Sequence, residues 1–263
     1  MKHQISIIIP VLNEELIIGK LLTHLKENAS CSNIAEILVV DGASTDKTID
    51  IVNTFVTSSN SNQSKELHQE ADSNVLYTKS SIENSTRTDV TIISSKKGRA
   101  KQMNLGAKQA TGNILYFLHA DSIPPKNFDQ LLINEVQKAN LAGCFRMQFD
   151  NNHWWLRLAS WLTQFRWRAC RGGDQSQFIT KDLFNQIGGF DETYTIYEDN
   201  ILINELYKRN EFIVINEKIK TSSRLYKKHG VWKLQYHFWT IYVKKWFGAS
   251  PDELYTYYKK HIN

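Results

Sequence analysis

A chain of 263 residues that is 41% hydrophobic and 22% charged has the balance of an ordinary soluble globular protein, long enough for one large domain or two small ones, with one expected. Cys31, Cys144 and Cys170 form no close pair and no metal-ligand spacing, the opening run ISIIIP is too short for the apolar core of a signal peptide, and no apolar run reaches the roughly 18–20 residues that span a bilayer; a cytoplasmic chain is expected, not a secreted disulfide scaffold or a membrane-spanning protein. The net charge of +5 is unevenly placed, because Lys218–Phe247 holds eight Lys or Arg and no Asp or Glu, a surface that would attract anionic lipid, nucleic acid or phosphorylated substrates alike.

The β-branched run Ile5–Ile9, ended by Pro10, predicts a buried parallel strand because both of its faces are apolar. Glu14–Leu25 then carries Ile17, Ile18, Leu21, Leu22 and Leu25 at helical spacing. The cycle repeats with Glu36–Val40 as strand, DGASTD as loop and about Thr45–Val56 as helix, and this alternation predicts a parallel sheet with right-handed crossovers. Thr57–Asp89, dominated by Ser, Asn, Gln, Thr and charge, reads as a mobile polar insertion holding one short strand at Val75–Tyr77. Val90–Ser94 resumes the sheet, Arg99–Ala110 is a helix, and Asn113–Leu118 is a strand leading to the lone acid Asp121. Phe128–Ala139 is a further helix, followed by an apolar strand near Leu141–Met147.

All seven tryptophans lie beyond residue 150. Trp154, Leu158, Trp161 and Phe165 fall on one helical face, and Trp232, Tyr236, Trp239, Val243 and Trp246 on another. Two readings stand for these faces. Packing on the core is favoured; the sharper reading is a membrane-interface or lipid-acceptor surface, since Trp beside Lys suits a headgroup layer.

Four acidic positions carry candidate chemistry. Asp41 closes the second strand, where a carboxylate can accept hydrogen bonds from a base or ribose. The DGASTD junction is also good turn and N-cap chemistry, which is the reading for Asp46 with Ser44 or Thr45. Asp121, ahead of Pro124 and Pro125, stands at the sheet edge where a hard cation could share it with substrate phosphates; His119 could add a ligand better suited to manganese, or be structural. Glu198 and Asp199 open a helix, as caps or as a general base. The turn Gly172-Gly173-Asp174-Gln175 either binds a hydroxyl-rich ligand or simply turns the chain. The loop after the first strand has no G-x-G-x-x-G, which speaks against a dinucleotide oxidoreductase and against a nucleotidyltransferase.

In this order, IIIPVLNEE, VVDGASTD, GRAKQMNLGAKQATGNILYFLHAD, GGDQ, GGFDE and YED resemble the motifs of family 2 glycosyltransferases with the GT-A fold, across residues 4 to about 210 with only the insertion outside. The long third string and the tail RLYKKHGVWK look most like a bacterial subgroup named for radical-SAM and selenocysteine-containing (selenodomain) proteins. The resemblance implies an α/β GT-A domain over 1–225, a single Rossmann-like, mostly parallel sheet flanked by helices, then a basic, Trp-rich amphipathic helical extension over 226–263. It implies inverting, single-displacement transfer of a sugar from a UDP- or GDP-linked donor to an acceptor hydroxyl.

On that resemblance Pro10, Asn13, Glu14, Asp41, Arg99, Asp121 and Arg224 line the donor, and Lys227, Lys228 and His229 close over its diphosphate or stay solvated. Asp199 is the catalytic base, with Glu198 as its substitute; Asp174, Gln175 and Trp155 face the acceptor. Asp121 matches the last acid of the D-x-D motif and His119 stands where the first acid is common, the pair holding a divalent cation, manganese or magnesium. The Q-x-x-R-W motif of processive synthases is absent, so single transfers are expected. The expected partners are the nucleotide sugar, a lipid or lipid-linked acceptor and the anionic inner face of the cell membrane, with no nucleic acid. The alternatives are an inactive GT-A protein serving as a membrane- or polyanion-binding module, and a nucleotidyltransferase.

Overall fold

An unbroken apolar strand needs cover on both faces, and the first run of the chain has it: β1 (Ile5–Val11) is buried from Ile5 to Ile9 and lies at the middle of an eight-stranded sheet. The computed structural model describes residues 2–56 and 88–262, so the insertion expected over 57–89, with its strand at 75–77, lies almost wholly outside the described residues. β1 pairs in parallel with β2 (Ile34–Asp41) and with β4 (Ile114–Phe117), and β2 pairs in parallel with β3 (Val90–Ser94). The crossovers carry α1 (Ile18–Asn28), α2 (Thr48–Asn53) and α3 (Arg99–Gln109).

The second half turns the sheet. After β5 (Ser122–Ile123), α4 (Phe128–Gln137) and β6 (Ala142–Phe149), β7 (Gln177–Thr180) inserts antiparallel between β4 and β6, and β8 (Ile213–Thr221) runs parallel to β6. The order is β3-β2-β1-β4-β7-β6-β8-β5, a mostly parallel sheet flanked by helices, which is the GT-A fold.

Alternation along β1 divides the core. Ile5, Ile7 and Ile9 face Leu21, Leu22 and Leu25 of α1 and Phe128 and Leu132 of α4. Ile8 faces the other way, onto a cluster with Met103 and Ala107 of α3, Phe184 of α6 (Lys181–Ile187) and Leu202 and Leu206 of α7 (Glu198–Lys208). α3 lies so close to the sheet that a Cβ on Gly106 would sit 2.5 Å from Ile8 Cγ2, so only glycine fits there.

The C-terminal helices form a third cluster. Leu234 and Ile241 of α9 (Val231–Trp246) and Leu254 of α10 (Pro251–His261) bury against Tyr194 and Ile196, directly ahead of the Glu198/Asp199 pair. This corrects the favoured reading of the tryptophan faces. The buried side of α9 is Leu234, His237 and Ile241, and α5 (Trp154–Leu162) buries only Leu156, whereas Trp154, Trp161, Trp232, Trp239 and Trp246 are all exposed. The aliphatic residues fill the close-packed interior, and the indoles are left outside.

Candidate active site

The carboxyl ends of β1, β2 and β4 gather the predicted residues, beginning with two loops that stitch each other. Asn13 adopts the left-handed conformation (φ 56°), accepts from Thr45 N at 2.8 Å and donates its own N–H to Ser44 Oγ at 2.9 Å. Glu14 N–H donates to Thr48 Oγ1 at 2.8 Å, Glu15 N–H to Asp46 at 3.1 Å, and Lys47 N–H back to Glu15 at 2.9 Å. These contacts stitch the two loops together ahead of α1, which begins at Ile18 and not at Glu14, and of α2, which spans Thr48–Asn53.

Asp46 serves the turn, accepting from Thr48 N–H at 3.0 Å and from the Thr48 hydroxyl at 2.6 Å, while the N-cap position of α2 falls on Lys47, whose side chain makes no capping bond. Asp41 is buried and accepts from Ala43 N–H at 3.0 Å and Ser44 N–H at 3.1 Å, so it shapes the turn that follows β2. Pro10 lies beside it, in register with Val40. Behind both loops sits Gln102, which sequence reasoning passed over inside the GRAKQMN string. It is buried, and its amide donates to Val11 O at 2.9 Å and Val40 O at 2.7 Å, tying α3 to the ends of both strands.

Four acids and three basic groups meet beyond β4. β4 stops at Phe117, and His119 and Asp121 occupy the turn into β5. His119 Nδ1 lies 4.0 Å from Asp174 and its Nε2 lies 4.0 Å from Asp199 Oδ2. Arg99, the first residue of α3, reaches Glu198 with Nε at 2.8 Å and Asp199 with Nη1 at 3.9 Å. Arg224, the first residue of α8 (Arg224–His229), places Nε 3.7 Å from Asp121 and grips Glu14.

Glu198 is wholly buried, and neither of its oxygens has a hydrogen-bond partner among the described residues, since the Arg99 contact lacks hydrogen-bond geometry. Burial, only partly offset by the Arg99 charge, pushes its carboxyl up to about 7. Asp199 occupies the opposite side of the pair, against the backbone of Gly173, where an added Cβ would come within 2.0 Å of Oδ2. Asp174, on the same short turn (Gly173–Gln175), has an exposed side chain facing His119.

The comparisons with known proteins decide the family. The description "Glycosyl transferase family 2" matches residues 6–193, which takes in every one of these loops up to the residue before Tyr194. The chain belongs to this family. A search of the curated proteins finds no match. Among solved structures, S. aureus TarS 1-349 is similar at 17% identity and a TM-score of 0.59, with 84% of this chain and 61% of that one covered. Its complex with UDP gives 17% identity and 0.59 over 83% and 60%, and its complex with UDP-GlcNAc gives 18% and 0.57 over 84% and 58%. The chain thus spans about three fifths of these relatives, and at such identity the likeness establishes the fold.

For a member of glycosyl transferase family 2, the donor set around Asp121 bears on metal binding. Among the described residues no group of three or more His, Cys, Asp or Glu is gathered to hold a cation by itself. One carboxylate shared with substrate phosphates is the ordinary mode for magnesium, and Asp121 fits it: burial, with Asp174 adding to it, raises its carboxyl, and His119 and Arg224 pull it back only in part. A buried carboxylate whose charge Arg224 and His119 offset only in part is one that a hard cation would stabilise.

Two predicted acceptor residues have their polar groups taken by other side chains or backbone. Gln175 is buried and its amide is spent, accepting from Arg171 at 2.6 Å and donating to Cys170 O at 2.6 Å; the GGDQ turn is anchored by a buried arginine that no sequence signal marked. Trp155 sits in an aromatic cluster, its Nε1–H donating to Gln235 at 3.0 Å, and Gln235 also receives the Tyr226 hydroxyl at 3.4 Å. Lys227 turns to Asp150 at 3.6 Å. The other residue missed is Tyr258 of α10, whose hydroxyl is raised by burial and lies in the fields of Arg99, Asp174 and Glu198. A polar tail reading YTYYKK carries no sign of such a placement.

Proposed function

We propose that the chain transfers a sugar from a nucleoside diphosphate donor, UDP- or GDP-linked, to an acceptor hydroxyl with inversion. The observation that carries this reading is the meeting of Asp121, Asp174 and Asp199 around His119 and Arg99 at the carboxyl ends of the strands, in a family 2 chain. The stitched loops of Asn13 and Asp41 form the base and ribose side, with Pro10 and Glu14. Arg99 and Arg224 bring positive charge to the diphosphate side.

Asp199 takes the proton of the acceptor hydroxyl as that oxygen attacks the anomeric carbon; the bond to the diphosphate oxygen breaks on the opposite face and its electron pair leaves with the diphosphate. Of the acid pair, Asp199 suits this role because its side chain keeps some exposure (11%) and faces His119, while Glu198 is wholly buried behind Arg99. Asp121, with His119 beside it, would hold a divalent cation, manganese or magnesium, whose contribution is neutralising charge on the diphosphate.

The test is a thermal melt of the purified protein against UDP, GDP and their sugars, with and without manganese or magnesium. A ligand at 100 times its dissociation constant adds about 2.7 kcal/mol, which a melting curve resolves. The expected result is a cation-dependent shift with one nucleotide, lost in Asp121→Asn and kept in Asp199→Asn, which binds donor but does not transfer it. No shift with any nucleotide overturns the reading.

A further inference from the structure

The two tryptophan-bearing helices are far apart in sequence, yet their exposed faces form one surface. Trp232 of α9 lies 5.6 Å from Trp154 and 5.5 Å from Trp155 of α5, ring centroid to centroid, and Trp155 lies 5.8 Å from Trp239. Trp154 is 59% exposed, Trp161 51%, Trp232 52% and Trp239 48%, and the α9 stripe ends in Trp246 and Phe247 at 86% and 85%. Leu158 and Val243 continue the apolar face between the indoles. Contiguous exposed aromatic surface of this kind is uncommon on a protein that meets only water.

Beside α5 runs a groove of about 290 Å³ lined by Arg146, Arg157, Lys218, Asn152 and Trp161, with no acidic residue in its wall. Arg146 Nε is buried there without a hydrogen-bond partner among the described residues. Of the acids beside it, Asp150 is taken by Ser223 at 2.6 Å and Lys227 at 3.6 Å, and Glu217, next to Lys218 on β8, is exposed outside the groove wall. Helices α5 and α9 carry no acid at all, and Lys233 and Lys244 are exposed on α9 among the aromatic residues.

We propose that this face docks the protein on an anionic lipid bilayer, with the indoles in the interfacial layer and the Arg146/Arg157/Lys218 groove on lipid phosphate groups. Indole beside Lys and Arg is the composition that the headgroup layer favours, and an interfacial helix carries its apolar stripe on one side with basic residues at its margins. A second copy of the chain fits poorly, because a two-fold contact would pair this patch with itself and bring the basic set Arg157, Lys218, Lys233 and Lys244 against the same set of the other copy. Single-stranded nucleic acid fits less well, because Leu158 and Val243 interrupt the row of stacking platforms it would use. The docking stands independently of the transfer chemistry, and it favours a lipid-linked acceptor as substrate class. No described helix is long and apolar enough to cross the membrane, so the contact is peripheral.

The test is co-sedimentation of the full chain with vesicles of phosphatidylcholine alone and with 30% phosphatidylglycerol, at low and high salt. Expected are binding to the anionic vesicles that weakens at least tenfold in high salt and in Trp232→Ser/Trp239→Ser, and a blue shift of tryptophan emission on binding. Arg157→Glu/Lys218→Glu, which leaves the ring cluster intact, should abolish the preference for phosphatidylglycerol. Both variants should keep the nucleotide melting shift, so loss of docking is distinguished from failure of the donor site. A chain that stays in solution at low salt overturns the proposal. So does anionic binding unchanged by the tryptophan variant, or a surface that binds single-stranded RNA or dimerises through these residues without binding vesicles.

Discussion

Arg224 grips Glu14 with both ends of its guanidinium, Nη1 to Oε2 and Nη2 to Oε1 each at 2.6 Å, joining residues 210 positions apart. The contact brings α8 over the first loop of the sheet and sets the remaining nitrogen of Arg224 toward Asp121. Half-exposed ion pairs contribute about 0–1 kcal/mol to stability, so the pair has little to do with holding the fold. On the proposed reading its value would lie in bringing positive charge to the diphosphate side of the site.

Arg224→Ala is therefore expected to leave the melting temperature within a degree or two while raising the donor KM about tenfold, equivalent to about 1.4 kcal/mol of binding. Steady-state kinetics beside a melting curve separates the two effects. An unchanged KM would mean that Arg224 only ties down Glu14.

Gly173 has an ordinary backbone conformation that alanine can adopt, so the cost of Gly173→Ala comes entirely from its Cβ meeting Asp199 Oδ2 at 2.0 Å. The carboxylate must move by about an ångström, and displacements of that size cost about 100-fold in rate. The expected result is a kcat reduced by about that factor with donor binding kept. A fully active variant would remove Asp199 from the reaction.

Glu198 binds its proton more tightly in the folded chain, at about 7, than in the unfolded chain at 4.5. Between those values the folded state holds a proton that the unfolded state has released, so stability falls as pH rises from 4.5 through 7 and is level above that. Glu198→Gln should flatten this limb and be the more stable protein at pH 8, by at most about 3 kcal/mol. Urea midpoints measured across that range check the slope; parallel curves for the two proteins would contradict it.

Gln102→Ala removes two buried hydrogen bonds, to Val40 O and to Val11 O, which keeps the Gly42 N–H at 2.9 Å; losing a buried bond of this kind costs about 1–3 kcal/mol. A loss of stability in that range is expected by urea denaturation, together with weaker nucleotide binding, since the two carbonyls lie just ahead of the Asn13 and Asp41 loops. Intact stability would show that the sheet ends hold without the tie.

The strand-helix alternation through residue 147 was readable because buried parallel strands are continuously apolar and their helices keep one apolar stripe; β1, β3, α3 and α4 appear within a few residues of their predicted bounds. The placing of Asp121 and Asp199 at the ends of elements is legible for a similar reason, whereas Arg99 is marked only by the family resemblance of the GRAKQMN string. The helix starts after β1 and β2 were misjudged where side chains of one loop took the backbone donors of the other, a contact between residues about 30 positions apart that no local pattern encodes.

By itself the sequence determined the α/β alternation, the family motifs and which residue types stand at the strand ends, since these depend on neighbours a few positions away. Only the tertiary structure decided which face of α9 is buried, because aliphatic and indole stripes compete for the same core and the packing against Tyr194 and Ile196 selects between them. It also decided that Arg171 anchors the GGDQ turn and that Tyr258 reaches the acids from the far end of the chain. Burial and long-range electrostatics are properties of the assembled molecule, set by contacts between segments whose separation in the chain carries no record of their meeting.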